Sequence, residues 1–124
     1  MTPAVFAREL AAALAASLPD GFTASAEGET VTIETPDGTG VSTALDIEAD
    51  DIGDLEVYAD AAEGVLSLAQ DVVCEALDAT WPAAGGRVVD LPIPGARADG
   101  GVVHLWFGDE DAPVLTLKGI RLET

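Results

Sequence analysis

Residues 50–82 read DDIGDLEVYADAAEGVLSLAQDVVCEALDATWP and form the longest stretch of the chain with one unbroken hydrophobic period. Apolar side chains recur three and four positions apart, which is the period of an amphipathic helix. The stretch therefore predicts one long helix, which at ~1.5 Å per residue is about 40 Å long and can cross a whole sheet. Its apolar side consists of Leu55, Tyr58, Ala62, Val65, Leu66, Ala69, Val72, Val73, Ala76 and Leu77.

The opposite side of this helix is acidic and contains no lysine or arginine. Like charges stand three or four residues apart, and each such pair destabilises a helix where a Glu and Lys pair would stabilise it. Such a face suits a basic partner or high salt, and we predict that it contacts a partner. The acidic residues are Glu56, Asp60, Glu63, Asp71, Glu75 and Asp78.

The apolar side of the helix is broader than contact with one layer requires. Val57, Ala61 and Leu68 extend it beyond the ~100° stripe of an ordinary surface helix. We therefore expect the helix to contact two layers, namely the sheet and either the first helix or a second subunit. At its start, Asp51 and Asp54 resemble a capping box, and acidic residues suit the positive end of the helix dipole.

The residues before the long helix predict a first helix and three strands. Thr2 and Pro3 form an N-cap and N1 pair, from which a helix of about four turns extends toward Pro19. From Phe22 the hydrophobic period changes to two, and turns containing glycine separate three alternating segments. These segments read FTASA at 22–26, TVTIE at 30–34 and VSTALDIE at 41–48.

The residues after the long helix return to a β pattern. Arg87–Leu91 is a short strand candidate, and the prolines that follow it favour an edge position. Gly101–Phe107 and Val114–Leu122 are stronger candidates because large apolar residues alternate along them.

Together these elements predict an α+β fold in a single domain, residues 1–124. We expect an antiparallel sheet of five or six strands, with the N-terminal helix and the long central helix packed on one face, in the order α-β-β-β-α-β-β-β. Two stretches of the chain share a starting Leu-Pro, a glycine turn and an alternating strand: LPDGFTASAEGETVTIETPDGTGV and LPIPGARADGGVVHLWFGDEDAPV. Two explanations of this similarity remain open: an internal duplication, and the common occurrence of such turns in antiparallel sheets.

The charge of the chain narrows the classes of partner. Its 124 residues include 23 acidic and five basic ones, which gives a formal charge of −18 and a pI near 4.1. Such a chain repels nucleic acid and anionic lipid, so we predict neither as a partner. Three origins of the acidity remain open: a basic protein partner, adaptation to high salt, and solubility.

Targeting signals are not predicted either. The run LAAALAASL near the start is not preceded by a basic segment, as a secretory signal would be. No segment approaches the ~20 consecutive apolar residues of a membrane span. With a single cysteine, no intramolecular disulfide can form, which favours a reducing cytoplasm.

The residue types also argue against several chemistries. Cys74 and His104 are the only cysteine and histidine, so one chain cannot build a zinc site from such ligands. The neighbouring carboxylates of Asp71, Glu75 and Asp78 disfavour the Cys74 thiolate, which makes it a poor nucleophile. The acidic clusters lack EF-hand spacing, and no phosphate loop or G-x-S-x-G motif is present. We predict no metal and no cofactor, and we favour a non-enzymatic role.

The order of the segments resembles that of type III secretion chaperones. It comprises a helix, the strands FTASA, TVTIE and VSTALDIE, the long helix, and the strands VVHLWF and VLTLKGI. The size and acidity of the chain are also similar to those of that family. The resemblance implies a dimer that binds an extended, non-globular stretch of a cargo protein.

Two hypotheses of function follow. The favoured one is a non-enzymatic protein-binding module, that is, a chaperone, an adaptor or an immunity-type inhibitor. Its six acidic helix residues would meet a basic or extended protein partner, with Trp106 as an aromatic anchor and with a homodimer as one assembly. The alternative is a small-molecule-binding protein or enzyme with a cleft between the sheet and the long helix, using Asp46, Asp90 or His104.

Overall fold

A computed structural model describes residues 2–78, 81–82 and 92–121. The described elements follow in the order α-β-β-β-α-β-β-β-β, which confirms the predicted α+β class and adds one strand to the predicted order. The helices are α1 (Pro3–Ala15) and α2 (Leu55–Leu77), and a short 3-10 turn covers Ala49–Asp51. The strands are β1 (Thr23–Glu27), β2 (Thr30–Glu34), β3 (Gly40–Ala44), β4 (Pro94–Asp99), β5 (Val102–Asp109), β6 (Ala112–Thr116) and β7 (Ile120–Arg121).

Helix α1 begins at the predicted cap. The Thr2 hydroxyl accepts a hydrogen bond from the Val5 backbone N–H at 3.3 Å, which satisfies one of the free N–H groups of the first turn. The many alanines on its buried side allow close packing against the sheet. The buried residues are Pro3, Phe6, Ala7, Leu10, Ala11, Ala13 and Leu14.

The first sheet is an antiparallel meander of β1, β2 and β3, as predicted. Its central strand buries Val31 and Ile33 completely. Thr32, between them, lies on the other face, where its hydroxyl and that of Ser42 on β3 form a hydrogen bond of 2.7 Å. Helix α1 covers the apolar face and packs mainly against β1. The sheet therefore has one apolar and one polar face, as expected for an antiparallel sheet covered on one side.

Helix α2 is shorter at both ends than the predicted segment. The N-cap is Asp54, whose carboxylate accepts a hydrogen bond from the Glu56 backbone N–H at 3.0 Å. The predicted capping box begins at Asp51, but that residue closes the separate 3-10 turn before the helix. At the other end the helix stops at Leu77, because Asp78 adopts the left-handed backbone conformation with φ of 51°.

The second sheet contains one strand, β4, where the sequence predicts none, and the single strand predicted at Val114–Leu122 is divided into β6 and β7. Strand β5 pairs with β4 along one edge and with β6 and β7 along the other, and it buries Val103, Leu105 and Phe107. The sequence of β4 is PGARAD, which has no alternation of large apolar residues, so only its pairing with β5 defines it as a strand. The predicted strand at Arg87–Leu91 lies outside the described residues.

The strands form two sheets, of three and four strands, rather than the single sheet of five or six that we predicted. Hydrophobic alternation identifies strands and their buried faces, but it does not determine which edges pair. Each helix covers mainly its own sheet. We call α1 with β1–β3 the first unit and α2 with β4–β7 the second unit.

The two units share one hydrophobic core. Helix α2 packs on the four-stranded sheet, mainly against β4, and also contacts α1 and β2. This double contact agrees with its broad apolar side. The rings of Phe6 and Tyr58 meet edge-on with 4.9 Å between their centroids, which joins the two helices. Among the described residues, neither helix combines the length and apolar character needed to cross a membrane.

Candidate functional site

All six acidic residues predicted for partner contact are exposed, five of them on α2 and Asp78 at its C-cap. We call this set the acidic stripe. The ion pairs present among the described residues join Arg97 to Asp99 at 3.9 Å and to Glu110 at 2.6 Å, both in the second sheet or its turn. Within the described part of the chain, no lysine or arginine therefore forms an ion pair with the acidic stripe. Its members are Glu56, Asp60, Glu63, Asp71, Glu75 and Asp78.

The acidic stripe agrees with the helix dipole at one end of α2 and opposes it at the other. Glu56 lies in the first turn, where negative charge stabilises the positive end of the dipole. Asp71, Glu75 and Asp78 lie toward the C-terminal end, where the free carbonyl groups favour cations, and the last turn contains no basic residue. The needs of the helix itself therefore do not explain the acidity of its C-terminal end.

Trp106, the predicted aromatic anchor, lies away from the acidic stripe. Val103, Leu105 and Phe107 of β5 belong to the core that α2 covers, so strand alternation places Trp106 on the opposite, outer face of the sheet. It is half-buried there, and its indole ring lies so close to Gly95 that a Cβ atom on this glycine would be 2.6 Å from the ring. The structure brings the acidic residues together on one helix but does not bring Trp106 to them.

Three open clefts border the acidic stripe, and each is lined by at least one of its members. The first, of about 550 Å³, lies where α2 begins and is lined by Asp50, Gly53, Asp54, Leu55, Glu56, Ala98, Asp99 and Gly100. The second, of about 480 Å³, lies between the β2–β3 turn and the C-terminal half of α2. We call it the hairpin cleft, and it is lined by Thr35, Pro36, Asp37, Thr39, Val41, Val72, Glu75 and Ala76. The third, of about 420 Å³, is lined by Asp60, Glu63, Gly64, Ser67, Ile93 and Pro94.

The carboxylate of Asp37 is held in place by its own turn. It accepts hydrogen bonds from the Thr35 hydroxyl and, at 2.9 Å, from the Thr39 backbone N–H. These two bonds lower the pKa of Asp37 below its ordinary value of 3.8, since both favour the ionised form. The sequence identifies this stretch as a turn, but the approach of the turn to α2 is a tertiary contact with no local signal.

The residues of the small-molecule hypothesis do not converge in the described part of the structure. Asp46 is exposed, with a left-handed φ of 56°, in the segment after β3. His104 is exposed on the outer face of the second sheet, and Asp90 lies outside the described residues. Neither Asp46 nor His104 lines any of the three clefts. The described residues contain no group of three or more His, Cys, Asp or Glu side chains that could hold a metal ion.

Cys74 lies beside the acidic stripe, at the edge of the core. Its side chain is half-buried and packs against core residues. The sulfur accepts a hydrogen bond from the Trp81 backbone N–H at 3.3 Å, and the thiol can donate to the Trp81 carbonyl oxygen at 3.5 Å. Helical periodicity gives no sign of this contact, because the contact depends on where Trp81 lies after the helix has ended.

Tyr58 carries a buried polar atom that the sequence does not reveal. The residue is 1% exposed, and its hydroxyl has no hydrogen-bond partner among the described residues. Burial, followed by the negative charge of Glu29, raises the pKa of Tyr58 above its ordinary value of 10.0. The hydroxyl does not line any of the three clefts, so we assign it to the core rather than to the candidate surface.

Comparisons with known protein families, curated proteins and solved structures found no match. The role of the acidic stripe must therefore be inferred from its charge, its exposure and the clefts beside it.

Proposed function

We propose that this protein is a non-enzymatic protein-binding module, of the chaperone, adaptor or immunity-inhibitor kind, that uses the acidic stripe to bind a basic or extended protein partner. The observation that carries the proposal is that all six side chains of the stripe are exposed while no cation of the described chain pairs with them. Their mutual repulsion is relieved when lysine or arginine side chains of a partner lie between them.

The position of the charges supports a partner more than it supports solubility alone. Solubility requires net charge but no particular location for it. Asp71, Glu75 and Asp78 stand at the end of α2 where negative charge lowers helix stability. Departures from local stability rules are expected at functional surfaces, where binding supplies the compensating interaction.

The rest of the molecule fits a binding role in a reducing compartment such as the cytoplasm. The only cysteine is half-buried and hydrogen-bonded to Trp81, so it makes a structural contact. A negative surface of this kind accelerates encounter with a basic partner and gives association a strong dependence on salt. The helix, three-strand, long-helix order is also that of the chaperones the sequence resembles, which would bind an extended stretch of cargo.

The proposal is tested with two variants that carry the same net charge. In the stripe variant, all six residues of the acidic stripe are replaced by the corresponding amides, Asn or Gln. In the control variant, six other exposed carboxylates are replaced in the same way: Glu9, Asp20, Glu27, Glu29, Glu34 and Glu48. Circular dichroism first establishes that both variants fold like the wild-type protein.

The probe is a fluorescently labelled, unstructured peptide that repeats the unit Gly-Lys-Ser-Leu-Arg, and its fluorescence anisotropy measures the affinity at about 50 mM and about 150 mM salt. We expect the stripe variant to bind at least about tenfold more weakly than the wild type, and the control variant to change by less than about threefold. Equal losses in both variants would show that only net charge matters and would overturn the proposal. Absence of wild-type binding at both salt concentrations would overturn it as well.

A further inference from the structure

The hairpin cleft combines an apolar lining with two carboxylates of different origin. The apolar part comes from Pro36, Val41, Val72 and Ala76. Val41 is 37% exposed, although it pairs with Ile33 and its side chain lies on the same, inner face of the first sheet. Asp37 comes from the β2–β3 turn, and Glu75 comes from the last turns of α2. The cleft is therefore formed where the first unit meets the C-terminal end of the acidic stripe.

We propose that the hairpin cleft is the anchor site for one lysine or arginine side chain of the basic partner. The methylene stem of that side chain lies on the apolar lining, and its charged end pairs with Asp37 and Glu75. This inference rests on the proposed function, since it assigns the part of the acidic surface that recognises an individual side chain.

The chemistry of the lining selects this class of side chain. Lysine and arginine are amphipathic, because each carries a charged group on an apolar stem that can cover apolar surface. A purely apolar side chain would leave two carboxylates facing it, whereas an acidic one would be repelled by them. A side chain with a cationic end and an apolar stem satisfies both parts of the cleft.

Asp37 is preorganised for this role. The turn that carries it is closed by backbone hydrogen bonds from Thr35 N–H to the Thr39 carbonyl at 2.9 Å and from Gly38 N–H to the Thr35 carbonyl at 3.0 Å. The Thr35 hydroxyl and the Thr39 N–H, which donate to the Asp37 carboxylate, belong to the same turn. The charge is therefore fixed in place before a ligand arrives, which lowers the entropy cost of binding.

The C-terminal end of α2 adds negative potential at the same place. Glu75 stands in the last turn of the helix, where the carbonyl ends of the dipole face outward, and that turn contains no basic residue. A ligand cation beside Glu75 supplies the positive charge that this helix end lacks. At about 480 Å³ the cleft falls in the range of small-ligand sites, so it also has room for a residue flanking the anchor.

The test uses N-butylguanidinium as a probe, because it reproduces an arginine side chain without a peptide. N-butylurea has the same stem without the charge, and guanidinium has the charge without the stem. Two-dimensional amide NMR spectra of the full chain record which residues respond to each compound. We expect N-butylguanidinium to shift the amide signals of Val41, Val72 and Ala76, and to bind at least about fivefold more tightly than either control compound, as the joint contribution of charge and stem requires.

Three single substitutions test the assignment of the carboxylates. Asp37→Asn and Glu75→Gln each remove one charge of the cleft with little change of shape, and Glu63→Gln removes one charge from the same helix outside the hairpin cleft. We expect the first two to weaken N-butylguanidinium binding at least about threefold and the third to leave it unchanged. Equal effects of all three, or equal binding of N-butylurea, would overturn the inference.

The same variants separate this inference from the proposed function. If the basic peptide binds the wild type and the stripe variant loses that binding, while N-butylguanidinium shifts no signal of the cleft, the anchor site is wrong and the proposed function stands. If N-butylguanidinium binds in the cleft but the basic peptide does not bind the protein, the cleft is a cation site and the proposed function is wrong.

Discussion

In the first unit α1 packs mainly against β1, and in the second unit α2 packs mainly against β4, so each helix lies on the first strand of the meander that follows it. The two units thus repeat one arrangement of a helix and an antiparallel meander. They differ in the helix: α1 has 13 residues and includes one basic and one acidic side chain, Arg8 and Glu9. Helix α2 has 23 residues and carries the acidic stripe.

The outer faces of the two sheets also differ. The first presents hydroxyl and carboxylate groups: Thr23, Ser25, Glu27, Thr30, Thr32, Glu34 and Ser42. The second presents an indole, an imidazole and two guanidinium groups as well: Arg97, Asp99, Val102, His104, Trp106, Thr116 and Arg121. The shared arrangement follows from the buried faces, whereas the second unit differs in its longer helix, its additional strand and the side chains on the outer face of its sheet.

The largest effect is expected from removing the ring that joins the units. Tyr58→Ala leaves a cavity beside Phe6 and should lower the free energy of unfolding by about 3–5 kcal/mol. Urea unfolding is followed by far-UV circular dichroism, which reports both units, and by tryptophan fluorescence. Trp81 packs against Phe107 of the second sheet and Trp106 belongs to that sheet, so fluorescence reports the second unit.

We expect both signals to show the same midpoint in the wild type and to shift together in the variant, because one core unfolds cooperatively. The matched control is Glu63→Ala on the exposed side of the same helix, which should change stability by less than about 0.5 kcal/mol. Separate midpoints for the two signals would mean that the units unfold independently.

A smaller effect distinguishes the glycines of the two sheets. Gly95→Ala should destabilise the protein by about 1–3 kcal/mol, because the new methyl group requires the Trp106 ring to move. Gly40→Ala in the first sheet is the matched control, since its Cβ atom would meet its nearest neighbour at 3.4 Å. We expect that change to remain within about 0.5 kcal/mol in thermal unfolding. An equal cost at both positions would show that close packing against Trp106 is not the cause.

Removal of the buried Tyr58 hydroxyl alone is expected to change the stability of the protein in the opposite direction. Tyr58→Phe keeps the ring contact and removes an oxygen without a described partner, so stability should be unchanged or rise by up to about 1 kcal/mol. The raised pKa means that the folded state holds the phenol proton more tightly than the unfolded state does. The contribution of the protonated phenol to the stability of the wild type is complete below pH 10.0 and is lost as the pH rises through the folded pKa. The stability of the Phe variant relative to the wild type should therefore grow above pH 10.0. A constant difference in urea midpoint between the two proteins from pH 8 to pH 11 would contradict this.

The smallest effect concerns the turn of the first unit. The lowered pKa of Asp37 means that its contribution to stability is present above pH 3.8 and is lost as the pH falls through the folded pKa. NMR titration of its side-chain carboxyl carbon should give a midpoint below 3.8. Thr35→Val removes the first of the two hydrogen bonds and should move that midpoint back toward 3.8. An unchanged midpoint in this variant would show that the hydroxyl does not stabilise the carboxylate.

The sequence predicts the elements whose signals are local. The Thr2 cap, the alternation around Val31 and Ile33 and the breadth of the apolar side of α2 depend on neighbours a few residues apart, and the structure agrees with each. Strand β4 and the separation into two sheets depend on which edges pair across the chain, and no local pattern encodes that.

The candidate surface shows the same limit. Helical periodicity correctly places five of the acidic residues on the exposed side of α2, and the sixth, Asp78, is exposed at its C-cap. It does not reveal that the Asp37 turn lies beside Glu75, because the two residues are brought together only when the first unit packs against the second. Whether the surface binds a basic partner stays a prediction, which the stripe variant and the control variant test.

Strand β3 lies at an edge of the first sheet, and its five residues include no charged side chain and no proline. Natural edge strands usually carry such residues to prevent pairing with the edge of another molecule. A formal charge of −18 is expected to oppose such pairing by long-range repulsion between molecules. That protection disappears near the isoelectric point of about 4.1. We therefore expect acidification to favour intermolecular β-pairing at this edge, so the charge that would attract a basic partner would also oppose aggregation of the free protein.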